Sequence, residues 1–365
     1  MSKAAELANL IGNINAGGGG VNRNLIINGA MNVSQRGTSF SFSNNVYCLD
    51  RIMTSLGNNS GAATVTQDSS APEGFANSLK VDVTTADSSL AVNHYNQMVY
   101  RIEAQNLQSL AFGTSDAKNI TLSFYVKSNK TGTYSVNIAQ NDNSYKQANL
   151  TYTIDSANTW ERKSLTFTGD TSGVINNDNG HGLEIVWILA AGTTYSSGNN
   201  SASFVTYADA NYAANQGVNV FDTVGNTWFL TGMQLEIGQN PTSFEHEPFE
   251  KTLHKCERYF CKTFEYAQAV TTNPSTKTNT IAGPAASDSA YDNICQWWFT
   301  QSLRGAPTVT FFNPYFDNAN WAKSGSNGPT AALYSSGKTE VAVRDNSGGA
   351  GGTNLQIHAT ADAEL

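Results

Sequence analysis

Apolar residues recur at helical spacing once near the start of the chain and at alternating spacing many times after it. Leu7, Leu10 and Ile14 are three and four apart, with Ile11 beside them, which predicts a helix over residues 4–14. A stretch this short does not hold a helix alone in water, so it needs copies of itself or a socket on a larger body. Gly17, Gly18, Gly19 and Gly20 follow and form a flexible hinge. A sticky helix on a swivel reads as an attachment peptide; the alternative is a frayed terminus with accidental periodicity.

Residues 21–245 carry the two-residue period of half-buried strands. Ile120, Leu122, Phe124 and Val126 alternate with Thr121, Ser123, Tyr125 and Lys127. Leu183, Ile185, Trp187 and Leu189 mark a more apolar, central strand. Phe229, Thr231, Met233, Leu235 and Ile237 are expected on one face, opposite Trp228, Leu230, Gln234 and Glu236. Clusters of Asn, Asp, Ser and Gly between these runs are turn chemistry. Many strands without intervening helices predict an all-β fold, an antiparallel β-sandwich or jelly-roll body. No fixed repeat supports a β-helix or propeller. Trp160, Trp187 and Trp228 lie in alternating runs and are expected in the core.

Over 246–268 the period lengthens. Phe249, Leu253, Cys256 and Phe260 share one helical face behind Pro248, predicting a helical connector. Residues 269–365 return to strands and form a small C-terminal β domain, marginal by itself. Trp297 and Trp298 are adjacent on a strand and face opposite ways, one toward the core and one toward a subunit interface.

Composition narrows the function classes. Among 365 residues only 14% are charged, and 21 Lys+Arg face 29 Asp+Glu, a net charge of -8. That balance excludes the basic footprint of a nucleic-acid binder. No apolar run approaches the roughly 18 residues of a membrane-spanning helix, so no membrane insertion is expected. Cys48, Cys256, Cys261 and Cys295 form no CxxC pair and read as four reduced, buried thiols of a protein made in a cytoplasm.

No nucleophile elbow, HExxH or phosphate-binding glycine loop is present, so no catalytic residue is assigned. A polysaccharide depolymerase would draw on Asp170, Asp178, Glu184, Asp209 or Asp222, but each lies in or beside a turn, where Asp bonds its own backbone. The oxygen-rich run 176–183 (NNDNGHGL) is either a structural calcium loop or a plain tight loop; no other cofactor or metal is expected. Sugar rings stack on aromatic faces while polar groups bond their hydroxyls. Trp321, with Tyr315, Asp317 and Tyr334 near it in sequence, is the candidate glycan platform; Trp321 as a core or inter-subunit residue is the alternative.

Several segments occur in a familiar order: 24–31 (NLIINGAM) with 34–37 (SQRG), 47–51 (YCLDR), 228–238 (WFLTGMQLEIG) with 241–245 (PTSFE), 256–260 (CERYF), 304–310 (RGAPTVT) and 360–365 (TADAEL). Together they resemble tail-fibre and related virion structural proteins of tailed bacteriophages, especially marine ones. The resemblance implies residues 1–20 docked on a tail or head attachment protein, a jelly-roll body, and a distal C-terminal domain for receptor binding and trimerisation. It implies a homotrimeric fibre in the virion. With the aromatic candidates and the missing catalytic motifs, the expected role is multivalent, non-catalytic binding of a host surface polysaccharide. The rival readings are a head-decoration or nozzle-attached fibre without receptor specificity, a capsule or lipopolysaccharide depolymerase, and a monomeric bacterial carbohydrate-binding module.

Overall fold

The computed structural model describes residues 2–15, 22–58, 60–142, 145–274, 276, 278–284, 294–324, 326–345 and 354–365, the side chains of 13–15 excepted. The hinge glycines Gly17 to Gly20 and the side chain of Ile14 therefore lie outside the described residues. The chain divides into two units: Met1–Ser34 with Thr38–Phe249 and Leu365, and Gln35–Gly37 with Glu250–Glu364.

The first unit opens with α1 (Lys3–Asn15), the expected helix, on which Leu7 and Ile11 are exposed and Leu10 half-buried. Its strands are β1 (Ser39–Ser41), β2 (Val46–Tyr47), β3 (Ile52–Gly57), β4 (Ala62–Asp68), β5 (Ser78–Thr85), β6 (Tyr95–Glu103), β7 (Ile120–Ser128), β8 (Gly132–Gln140), β9 (Lys146–Ile154), β10 (Glu161–Phe167), β11 (His181–Ala191), β12 (Ser201–Thr206) and β13 (Thr227–Ile237). Two one-turn helices, α2 (Thr193–Ser196) and α3 (Asp209–Tyr212), interrupt them. Six strands pair as β1-β4-β5-β13-β7-β10 and seven as β12-β9-β8-β11-β6-β3-β2. Among the described residues every strand pairing is antiparallel. The result is the expected jelly-roll-like sandwich, with the chain changing sheet repeatedly.

Alternation explains the core. Leu122, Phe124 and Val126 of β7 face Leu183, Ile185 and Trp187 of β11 in one continuous apolar cluster. Phe124 meets Trp187 edge-on at 5.9 Å and Tyr152 at 5.1 Å, and Trp228 Nε1 donates to the Tyr152 hydroxyl. Trp187 and Trp228 are core residues as expected; Trp160 is not, because it precedes β10 on the parity of outward-facing Arg162 and lies half-buried on the outer surface.

β13 departs from the expected alternation. Its pairing with β7 shifts between Thr231 and Gln234, a bulge carried by Gly232 at φ 60°. Trp228 and Leu230 point inward before the bulge, and Met233, Leu235 and Ile237 after it. Phe229 is thereby turned to the outer face, while Gln234 and Glu236 emerge farther along the strand. Glu236 is fully buried but satisfied: Thr242 donates its amide at 2.8 Å and its hydroxyl at 2.6 Å, Gln234 its amide at 3.0 Å, and Arg23 lies 3.8 Å away. Asn22 and Asn24 amides bind Glu245, and Asn24 bridges Met233 and Leu235. The segments 24–31, 228–238 and 241–245 are thus three parts of one clasp.

The second unit contains α4 (Phe249–Glu257), β14 (Phe260–Lys262), β15 (Ile281–Pro284), β16 (Ile294–Trp298), β17 (Thr308–Phe312), β18 (Asn320–Lys323), β19 (Ser326–Ser336), β20 (Glu340–Asp345) and β21 (Asn354–Asp362). α4 begins at the terminal residue of the first unit. The expected connector over 246–268 is corrected: the helix stops at Glu257, and Phe260 lies in β14, where pairing with β21 overrides helical periodicity. β21 is the hub. β14 and β17 flank its C-terminal half, β15 and β18 its N-terminal half. Small residues Ala359 and Ala361 let it be buried on both faces. Segments from the family resemblance meet here too. Arg304 donates to Ala363 and Glu364 carbonyls, Ala363 donates to Tyr259, and Arg36 stacks 3.8 Å over Phe260 and pairs with Asp362 at 3.0 Å. All four cysteines are buried and none forms a disulfide.

Two predictions follow from this packing. A Cβ at Gly232 would sit 2.8 Å from the rings of Phe75 and Tyr125, on a left-handed backbone. Gly232→Ala should lower unfolding free energy in urea by about 1–3 kcal/mol; an unchanged midpoint would mean that the bulge does not need glycine. His358 is fully buried, stacked 4.1 Å on Phe264 and bonded to Thr263 Oγ1 at 3.0 Å. Burial lowers its pKa, with the Thr276 carbonyl opposing. The folded chain then stays neutral where the unfolded chain protonates, so stability is complete above about pH 6.5 and falls on acidification, by at most about 1.4 kcal/mol per pH unit. Thermal melts from pH 7.5 to 5 should show this slope for the second unit, and His358→Gln should flatten it.

Candidate functional site

The outer face of the six-stranded sheet carries a straight row of unlike side chains. Cross-strand register aligns Ser39 of β1, Thr66 of β4, Lys80 of β5, Phe229 of β13 and Lys127 of β7. Glu161 pairs with Val126, so Trp160 comes next, beside Lys127. The five paired positions span roughly 19 Å at the usual strand spacing. Along half of this row lies an open groove of about 500 Å³, lined by Thr64, Thr66, Lys80, Asp82, Val83, Thr84, Val224 and Gly225.

The row combines an aromatic step with hydroxyl, ammonium and carboxylate groups. Trp160 meets Phe229 edge-on at 6.0 Å. Phe229 is buried beneath its neighbours, so Trp160, half-buried, presents the accessible ring. Lys127 Nζ stands 4.0 Å over the Phe229 ring and 5.1 Å from Trp160, and donates to Ser70 Oγ at 2.6 Å. Burial lowers the Lys127 pKa; Asp68 opposes that and Lys80 adds to it. Lys80 pairs with Asp82 at 2.7 Å. Such a surface can stack an apolar ring face and bond hydroxyls around it. Two smaller hollows suit this less well. Neither the one lined by Ser115–Asn119, Gly238 and Gln239 nor the one about Phe112, Val174 and Ile175 includes a residue of the row.

The residues nominated from sequence are not gathered into a site. Trp321 is fully buried among Ile281, Cys295, Val341 and Ile357, and its Nε1 donates to the Arg344 carbonyl. It cannot offer a ring face to a sugar, so the core alternative is the correct one. The loop before it winds around Asn313, whose Oδ1 accepts from the Tyr315 and Phe316 amides. Tyr315 is half-buried there, and Asp317 is exposed and accepts from Thr272 Oγ1 at 3.1 Å. Tyr334 is exposed on β19, seven residues beyond Asn327, which binds that loop through Asn313 and Asn318. At strand rise this is roughly 24 Å away. Trp297 packs against the core and Phe299, while Trp298 is 63% exposed.

The candidate carboxylates each have local partners. Asp170 binds Lys146 and Ser172, Asp178 its own Gly180 amide, Glu184 Arg101 at 2.9 Å, and Asp222 Lys130 at 2.5 Å; Asp209 bonds Tyr207. Within 176–183, Asn176 is tied to Asp142. Among the described residues no group of three or more His, Cys, Asp or Glu side chains is placed to hold a metal. Nor is any helix among them long and apolar enough to cross a membrane.

Sequence reasoning missed the row on the six-stranded sheet. One signal was available: Leu165 and Phe167 set the inward parity of β10, and Trp160 lies on the other parity. The alignment of Thr66, Lys80, Phe229 and Lys127 depends on pairing between strands far apart in sequence and on the bulge in β13.

No family model and no curated protein matches this chain. Among solved structures it is similar to the enzymatically active domain of a tailspike protein of bacteriophage CBA120, at 14% identity over 59% of this chain, with a TM-score of 0.32; the match spans only 21% of that chain. It is also similar to a family 11 carbohydrate-binding module of a Clostridium thermocellum cellulosomal cellulase, at 14% identity over 56% of this chain and 95% of the other, with a TM-score of 0.29. The N-terminal cellulose-binding domain of a Cellulomonas fimi β-1,4-glucanase matches at 11% identity over 52% and 90%, with a TM-score of 0.28. Similarities at this level carry no weight for ligand or activity, and the fold assignment stands on the strand order and register above.

The burial of Trp321 makes a prediction of its own. Trp321→Ala should cost the second unit about 3–5 kcal/mol in denaturant unfolding, as for a large core residue. A stable variant would return Trp321 to the surface.

Proposed function

We propose that this chain is a tail fibre of a tailed bacteriophage that holds a host surface polysaccharide, without cleaving it, on the outer face of the six-stranded sheet. The observation that carries the binding reading is the outward ring of Trp160 at the end of a row of hydroxyl and charged side chains beside an open groove. The groove lining contributes one carboxylate, Asp82, already paired with Lys80; glycoside hydrolysis uses two. The virion role rests on the ordered segments that resemble phage appendage proteins.

In this reading α1 docks on the particle through Leu7, Leu10 and Ile11. The exposed Trp298, Ile294 and Leu333 of the second unit meet the other subunits of a homotrimer. Several copies per virion turn weak sugar contacts into useful avidity, about 10²–10⁴-fold, with no new contact.

Binding of purified full-length protein to an array of bacterial surface polysaccharides tests the reading. Trp160→Ala should weaken binding about ten-fold or more, equivalent to about 1.4 kcal/mol, while Tyr334→Ser leaves it unchanged. The reverse pattern would move the site to the second unit. Release of reducing ends from a bound glycan would contradict the non-catalytic part.

A further inference from the structure

The charges on the row are not equivalent. Lys80 is matched by Asp82 at 2.7 Å, and Lys130, just past the end of β7, by Asp222 at 2.5 Å. Lys127 has no carboxylate within ion-pair distance among the described residues; its polar partner is the neutral hydroxyl of Ser70. Asp68 and Lys80 act on it only through space and with opposite sign. Its ammonium is held over Phe229 and beside Trp160. An unneutralised ammonium over an aromatic step is placed to meet an anionic substituent on a ring stacked there.

We propose that this outer face selects an acidic polysaccharide, one whose sugar carboxylate pairs with Lys127 while its ring lies against Trp160. This rests on the glycan-binding reading and adds the ligand's charge. Asp82 stays with Lys80, and Asp68 accepts from the Ser70 amide and makes no ion pair with Lys127, so the carboxylate's place on the row is set by Lys127. Burial disfavours the free ammonium, and a bound carboxylate reverses that penalty.

The test uses full-length protein with alginate, polygalacturonate and hyaluronate, the carboxyl-reduced form of each, and dextran and laminarin as neutral probes. At least one acidic polymer should bind, its carboxyl-reduced form about ten-fold or more weakly, and binding should fall between 50 and 200 mM salt. Lys127→Gln should lose the preference for the acidic form, and Lys127→Arg should keep it. Equal binding of the acidic and reduced forms, or an unchanged preference in Lys127→Gln, overturns the charge inference and leaves glycan binding standing. Binding of the neutral probes alone does the same. Failure of folded wild-type protein to bind any probe counts against both.

Discussion

The N-terminal sandwich depends on a change of parity within its central strand. β13 pairs with β5 and β7, and an unbroken alternation along it would point either Trp228 and Leu230 or Met233, Leu235 and Ile237 out of the core. Gly232 resolves the conflict by taking a left-handed conformation and inserting one residue. Both apolar sets then reach the same core. The outward positions divide as well: Phe229 joins the row that ends at Trp160, and Glu236 enters the clasp with Thr242 and Arg23. A single bulge therefore sets the geometry of the candidate binding surface and of the contact that closes the chain on itself.

The clasp changes the meaning of the segments that resemble phage appendage proteins. Their polar residues are occupied with backbone and with one another. Asn24 bridges β13, Glu245 holds the amides of Asn22 and Asn24, and Arg304 caps the carbonyls of Ala363 and Glu364. The buried carboxylate of Glu236 is held by donors from Thr242 and Gln234, with the Arg23 guanidinium 3.8 Å away. These motifs describe how the two units are built. The candidate surface for a ligand draws on Thr66, Lys80, Lys127 and Trp160, outside those segments.

Much of the fold was legible because alternation is a local signal. The strands around Ile120–Val126, Leu183–Leu189, Val309–Phe311 and Leu355–Ala359, the helix at residues 4–14, and the core positions of Trp187 and Trp228 follow from spacing alone. The failures have physical causes. Cys256 and Phe260 fit one helical face, yet Phe260 gains more from pairing with β21. Trp321 sits in a polar sequence, but its strand turns it inward. Trp160 lies in an alternating run and so is expected in the core, but it has the parity opposite to Leu165 and Phe167 and faces outward. The candidate site was illegible because its members come from β4, β5, β7 and β13, and no local pattern records which strands become neighbours.

The central claim is that the six-stranded sheet offers its outer face to a sugar chain. A crystal structure of the full-length protein with a bound oligosaccharide tests it most directly. The account predicts a sugar ring against Trp160, with the chain running across the strands past Lys127 and Lys80. An ordered sugar beside Tyr334 in the second unit, with the Trp160 face bare, would contradict it.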